Sequence, residues 1–198
     1  MDFVNIIDDF LKKQNLEFSP VLVEGFTGYK ISPQDLIRFL QFLKENKDLR
    51  FTILTDLFAA DFLERKKRFE LVYSLLSLQL NQRILIKIEL AENESILSST
   101  SIYSAACWYE REVFDMFGIN FDQSPDLRRI LTDYGFKGHP LRKDFPLTGH
   151  VQVIYDEKLE KVIYEPVLLE QEFRNFDFVS PWQGPKEYVL PGDEKATK

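Results

Sequence analysis

The sequence predicts an α+β fold, with helices packed on one face of a mainly antiparallel sheet and an extended irregular C-terminal arm after it. Three observations predict it. Residues 83–90 put Ile84, Ile86, Ile88 and Leu90 on one face of a strand and Arg83, Lys87 and Glu89, with Leu85, on the other. That period of two is a sheet with one buried face. Segments with apolar residues at helical spacing lie on both sides of it. After Gly118 the periodicity stops, but large apolar side chains continue among Gly and Pro.

Taken in order, Phe3, Ile6, Ile7, Phe10 and Leu11 recur as one face of a helix over residues 2–14. Val21-Leu22-Val23 and Tyr29-Lys30-Ile31 flank Gly25 and Gly28, a hairpin signal. Ser32-Pro33-Gln34-Asp35 reads as a helix start, with Ser32 as the cap and Pro33 in the first turn. Leu36, Phe39, Leu40 and Leu43 form that helix's buried stripe. Phe51–Leu54 is a short strand. Residues 69–78 and 83–90 form the clearest hairpin, turning at Asn81-Gln82. The Ser/Thr-rich stretch 95–103 leads into a helix over about 104–117. Beyond Gly149, 151–155 and 161–164 read as a strand pair. The tail, with Phe173, Phe176, Phe178 and Trp182, reads as an arm. Two regions follow: an α+β globular domain over 1–118, and a partner-binding arm of short strands and loops over 119–198.

Composition removes several function classes. A formal charge of −7 argues against nucleic-acid binding, which needs a basic face to displace counterions. The basic run 65–68 reads as a solvated loop or strand edge. A single cysteine, Cys107, cannot form an intramolecular disulfide or supply the four thiolates of a cluster. It reads as a small buried residue of its helix. No apolar run approaches the ~18–20 residues that span a bilayer. The acidic, amphipathic start MDFVNIIDDF resembles neither a secretory signal nor a transit peptide. The expectation is a protein made where it works, or one whose presequence is already absent.

The helix at 104–117 carries Ala105, Tyr109, Val113, Met116 and Phe117 on its inward face. Glu110, Arg111, Glu112 and Asp115 lie around the rest, as a face that docks or is solvated. Arg111 and Asp115 are one turn apart and can pair. Gly118 can take the left-handed conformation that ends a helix. Ser124-Pro125-Asp126 resembles another helix start, and Arg128 and Arg129 after it point to different sides. Arg142, Lys143 and Asp144 repeat the theme of charge in a loop, and Arg forks suit interfaces. The two histidines, His139 and His150, fall in no metal-ligand pattern with Asp133 or Asp144. His139 reads as a structural hydrogen-bonding residue in a tight turn. Gly135-Phe136-Lys137-Gly138 lacks the spacing of a nucleotide loop. One alternative reading, a stand-alone acid–base enzyme, would have to assemble Glu112, Asp133 and His139. Against that, 108–149 is a long irregular stretch bearing Leu131, Tyr134, Phe136, Leu141, Phe145 and Leu147. A loop of that length is functional or disordered, and its apolar content marks an ordered segment covered by another chain.

The string 110–119, EREVFDMFGI, then Pro125-Asp126-Leu127-Arg128-Arg129-Ile130-Leu131 and 138–147, GHPLRKDFPL, resembles the signature of one core subunit of respiratory complex I. This is the 30 kDa, or subunit-nine, type of NADH:ubiquinone oxidoreductase. Arg68-Phe69-Glu70, Glu165-Pro166, Phe176-Asp177-Phe178 and Ser180-Pro181-Trp182 extend the likeness along most of the chain. The family usually has His where this chain has Ser124. Photosynthetic relatives tend to carry Trp around the Pro-Leu-Arg-Lys-Asp loop, so Phe136 and His139 place the chain with the respiratory branch. The resemblance implies a structural subunit of the quinone-reducing module, with no catalytic residue of its own. FMN, iron–sulfur clusters and ubiquinone would sit on partner subunits. The partners would be the large quinone-cavity subunit and the cluster-bearing subunits, with no nucleic acid and no membrane span. The expected location is the matrix side of the mitochondrial inner membrane, with the gene in the mitochondrial genome, or else the cytoplasmic face of a bacterial membrane. The interface would use Glu110, Arg111, Glu112, Asp115, Arg128, Arg129, Tyr134, Phe136, His139, Arg142, Lys143, Asp144, Phe176 and Trp182. The arginines would serve assembly rather than quinone chemistry. The other alternative reading is an equivalent scaffold subunit in a related membrane-bound hydrogenase or photosynthetic complex.

Overall fold

Residues 3–23, 25–169 and 171 are described by the computed structural model of the chain. The chain divides into two units, Met1–Gly149 and His150–Lys198. In the first, α1 (Phe3–Lys13) precedes the antiparallel hairpin β1 (Phe18–Val23) and β2 (Phe26–Ile31). Gly25 turns that hairpin with positive φ, while Gly28 lies inside β2 between Val21 and Leu85. A 3₁₀ turn at Pro33–Asp35 opens α2 (Leu36–Glu45). The Ser32 side chain makes no capping bond; its carbonyl instead accepts the Asp35 N–H at 3.1 Å. The helix start is legible in the sequence, but its cap is a backbone turn.

β3 (Ile53–Asp61), β4 (Phe69–Ser77) and β5 (Gln82–Leu90) complete a five-stranded sheet in the order β1-β2-β5-β4-β3. All its neighbours are antiparallel except β2 and β5. Asn81 turns the β4–β5 hairpin with φ 49°, a conformation Asn tolerates better than most residues. Register places Phe69, Leu71, Tyr73 and Leu75 beside Leu90, Ile88, Ile86 and Ile84 on one fully buried face. The Leu36, Phe39, Leu40 and Leu43 stripe of α2 is equally buried, as are Ile7 and Leu11 of α1. Each such side chain contributes roughly 1.5–3 kcal/mol of burial. The Phe10 and Phe42 rings stack at 3.6 Å, tying α1 to α2. The other sheet face is mixed: Phe58, Val72 and Leu85 lie on it beside the Lys30–Glu89 and Lys87–Glu70 pairs. Helices therefore cover one face of a mainly antiparallel sheet.

β3 is longer than its apolar pattern suggests, because a bulge breaks the period of two. The register shifts between Leu54 and Asp56, so the inward residues Leu54 and Leu57 are three apart. The odd residue, Thr55, gives its hydroxyl to the Ser74 carbonyl at 2.9 Å, and its own carbonyl accepts the Tyr109 hydroxyl at 3.0 Å. Tyr109 belongs to α3 (Ala106–Phe117), which packs along β3. Short parallel strands β6 (Ile96–Leu97) and β7 (Phe121–Asp122) bracket α3. Cys107 is only half-buried, and Ala106 rather than Ala105 faces the core.

In the second unit, β8 (Val151–Asp156) and β9 (Lys161–Pro166) form an antiparallel hairpin. Its register puts Val151, Val153, Tyr155, Val162, Tyr164 and Pro166 on one face, all exposed. The other face carries Gln152, Ile154, Asp156, Lys161, Ile163 and Glu165. Phe173, Phe176, Phe178 and Trp182 lie outside the described residues. No helix among the described residues is long and apolar enough to cross a membrane.

Candidate functional site

The last carbonyls of an α-helix have no partner within it. At the end of α3, residues from the loop that follows supply those partners. Gly118, at φ 75°, gives its N–H to Phe114 at 2.8 Å. The Asp115 carbonyl meets His139 Nδ1 at 3.0 Å, Met116 accepts the Leu141 N–H at 3.1 Å, and Phe117 accepts Arg142 Nε at 2.5 Å. Two guanidinium groups, of Arg129 and Arg142, stand at this negative end of the helix dipole. Gly118 is required twice over, because a Cβ there would lie 2.6 Å from His139 Nε2 and 2.7 Å from Arg142 Nη2. We expect Gly118→Ala to lower stability by about 2–3 kcal/mol, the sum of left-handed strain and displaced loop contacts. A urea midpoint unchanged from wild type would contradict that.

Asp115 is the organising carboxylate. It is fully buried. Its Oδ2 accepts the backbone N–H groups of Ile130, Leu131 and Thr132 at 2.8–2.9 Å. Its Oδ1 accepts the Thr132 hydroxyl at 2.6 Å and Arg129 Nη1 at 2.7 Å. Burial alone pushes this carboxyl up, but the Thr132, Leu131 and Ile130 donors outweigh it and hold the group ionised, below the usual carboxylate range. Arg129 reaches on to the Gly138 carbonyl at 3.0 Å and lies over the Phe136 ring. Arg111 donates to the carbonyls of Arg128 and Arg129 rather than pairing with Asp115. The Ser124-Pro125-Asp126 segment does not begin a helix. Asp126 Oδ1 instead accepts the Arg128 N–H at 2.9 Å, an Asx-type turn that competes with helix formation.

A second hub joins the loop to the sheet. Arg68, the last residue of the basic run, is buried rather than solvated. Its Nε and Nη2 grip both oxygens of buried Asp61 at 2.7 and 2.8 Å. The same guanidinium reaches Asp144 at 2.6 Å and Glu92 at 3.1 Å. Asp61 also accepts the Lys143 N–H at 2.7 Å. The Arg68 guanidinium holds the Asp61 and Asp144 carboxyls below their ordinary value.

Glu110, expected on the outer face of α3, is fully buried. It accepts the Ser98 hydroxyl at 2.7 Å, the Ser99 N–H at 2.7 Å and the Ser99 hydroxyl at 2.9 Å, so it ties α3 to the segment after β6. No cation pairs with it among the described residues. Burial raises its pKa despite these donors. A carboxyl whose folded pKa is raised costs stability once pH climbs above its ordinary 4.5. Glu110→Gln should therefore raise the thermal midpoint at pH 8, with the gain fading as pH falls below 4.5. A gain that does not change with pH would count against this account.

Glu110 and Asp115 thus act inside the chain, as buried struts, and neither is exposed to solvent. Arg111, Arg129, His139 and Arg142 are largely spent on internal carbonyls and carboxylates. Glu112, Arg128, Tyr134, Lys143 and Asp144 are exposed, and Tyr134 is 97% exposed. Leu131, Leu141 and Leu147 are exposed beside them. Phe136 packs on Phe145 at 6.0 Å. The acid–base trio does not assemble around the groove at Glu112, whose walls include neither Asp133 nor His139. His139 Nδ1 sits on the Asp115 carbonyl, and Asp133 Oδ1 takes the Tyr134 N–H. Among the described residues no cluster of His, Cys, Asp or Glu is disposed to hold a metal ion. Sequence reasoning misses Asp61, Glu92, Ser98, Ser99 and Thr132. Only Arg68 within the signature hints at a buried ion pair.

Comparison with known proteins bears on what such a loop is for. A model of the respiratory-chain NADH dehydrogenase 30 kDa subunit family matches residues 29–151. The chain is 57% identical to the C subunit of the NADH-quinone oxidoreductase of Rickettsia felis, over 100% of this chain and 95% of that protein. It is 59% identical to the Rickettsia bellii protein of the same name, over 99% of this chain and 100% of that one. With the Agrobacterium fabrum protein the identity is 56%, over 92% and 90%. A chain of the archaeal membrane-bound sulfane sulfur reductase structure shares the fold, with a TM-score of 0.62 and 24% identity over 74% of this chain and 87% of that one. The signature segment that closes the end of α3 falls wholly within the family match, and the chain belongs to the respiratory-chain NADH dehydrogenase 30 kDa subunit family.

Proposed function

We propose that this chain is a core structural subunit of the quinone-reducing module in the peripheral arm of respiratory complex I. One observation carries the reading. The segment 127–149 is pinned from beneath by Asp115 and Arg68, and by its own Arg142 on the Phe117 carbonyl, yet it turns Leu131, Tyr134, Leu141 and Leu147 outward. An ordered backbone presenting apolar side chains to water is the composition of a docking surface. The apolar face of the β8–β9 hairpin supports the same reading, because an isolated two-stranded hairpin is marginal until something covers it. Residues 119–198 act as the partner-binding arm. The large quinone-cavity subunit and the cluster-bearing subunits are its partners, and they carry the FMN, iron–sulfur clusters and ubiquinone. Tyr134, Phe136, Arg128, Lys143 and Asp144 are its surface contacts, with Phe176 and Trp182 further along. Arg111, Arg129, His139 and Arg142 hold that surface in shape. The work of the subunit is to fix distances between its neighbours, so that electrons pass from NADH to ubiquinone in a rigid frame while protons are moved.

Relatives from Rickettsia, Agrobacterium and Rhodobacter favour the cytoplasmic face of a bacterial membrane over the mitochondrial matrix side. The test is a native gel of gently solubilised membranes, stained for NADH oxidation and probed for this chain. Co-migration with a large NADH-oxidising band supports the reading. A small species free of that band, or partners without an NADH-oxidising flavoprotein, overturns it.

A further inference from the structure

Strand β3 lies at the edge of the main sheet, paired with β4 alone. Between its open side and α3 runs a groove of about 180 Å³. Buried Leu57, Val113, Met116 and Phe117 form its apolar base, and exposed Phe58 and Leu141 form its lips. A cavity of roughly 150 Å³ holds a benzene ring, so this one takes a single Leu- or Phe-sized side chain. Two exposed carboxylates, Asp56 and Glu112, stand at the rim, and neither has a salt bridge among the described residues.

The backbone here is also open. The bulge and the Tyr109 bond occupy the strand at Thr55. From Asp56 to Ala60 the register with β4 is regular. Among the described residues no other hydrogen bond reaches that stretch from outside the sheet. A straight, unpaired edge beside an apolar slot is what an added strand needs.

We propose that this groove receives an extended segment of a neighbouring subunit, which pairs with β3, seats one large apolar side chain in the slot and sets a Lys or Arg against Asp56 and Glu112. The apolar base selects the anchor, and the two carboxylates select the charge. This rests on the docking function above and adds a contact along β3, continuous with the loop 127–149 at Leu141.

The experiment places p-benzoylphenylalanine at Phe58, and separately at Tyr134, in tagged full-length chain purified within the complex. After irradiation, the crosslinked peptides are sequenced. Phe58 should capture one segment of another subunit, with Lys or Arg within two residues of the adduct. Asp56→Lys combined with Glu112→Lys should cut that adduct about tenfold through like-charge repulsion, while the thermal midpoint of the chain stays at the wild-type value. Adducts at Tyr134 without any at Phe58, or adducts at Phe58 only to a second copy of this chain, overturn the groove proposal and leave the subunit reading standing. A chain that stays outside the complex and yields no adduct at either position overturns both.

Discussion

Arg68→Ala should lower the folding stability of the chain by about 3–5 kcal/mol, because it strands the fully buried Asp61 carboxylate without its cation. A typical domain holds only about 5–15 kcal/mol in reserve, so the variant should accumulate poorly and enter the complex less often. The loss is large because one guanidinium serves three carboxylates from separate parts of the chain: Asp61 in β3, Glu92 after β5 and Asp144 in the loop. Arg68→Lys should recover only part, since an ammonium cannot make the two-pronged grip on Asp61. Pairing Arg68→Leu with Asp61→Leu should restore more than either single change allows, as removing both charges removes the desolvation cost. The check is urea denaturation of these variants beside wild type. Strict additivity of the two leucine changes would mean the pair is not the unit that matters.

Asp115→Ala should have a similar cost, about 3–5 kcal/mol, but a more local consequence. Three backbone N–H groups, one hydroxyl and one guanidinium lose their acceptor together. The segment 127–149 should then detach from α3 while the sheet stays folded. Trypsin reads this directly, because Arg128, Arg129, Lys137 and Arg142 lie within the segment. Each ~1.4 kcal/mol of local loosening raises the open population tenfold. Cleavage there should therefore precede any loss of the core. Uniform cleavage along the chain would show that Asp115 supports the whole fold rather than the loop. The pH dependence carries a sign as well. Asp115 and Asp61 have folded pKa values below their ordinary 3.8. Their contribution is complete above that value and is lost as pH falls toward the folded ones. Acid should release the loop in wild type, and the Asp115→Ala protein should lack this transition.

On α3, sequence reading meets its limit at buried charge. Helical spacing predicts that Glu110, Glu112 and Asp115 line the outer surface. That holds for Glu112 alone. Glu110 and Asp115 turn inward because donors arrive from elsewhere. Ser98 and Ser99 come from about a dozen residues before, and Ile130 to Thr132 from about fifteen after. A buried carboxylate is tolerable only when such donors meet it. Nothing local in ERE or FDMF states that they will. The same limit ends the predicted third strand at Leu54, since a bulge at Thr55 erases the alternation on which strand recognition depends.

Elements set by local periodicity or by a turn residue are written in the residues themselves: the buried α2 stripe, the β4–β5 hairpin, the alternating but exposed β8–β9 pair and the Gly118 stop. The ordered signature also suffices to show the family, because a long string of specific residues is legible without coordinates. Which charges are internal and which lie at the surface emerges from the folded chain alone. Burying a charge depends on groups brought together from distant positions, whereas periodicity reports only on neighbours along the chain. Arg68, Asp115 and Arg142 become struts, and Tyr134, Leu131 and Glu112 are left facing outward, by contacts that no single segment encodes.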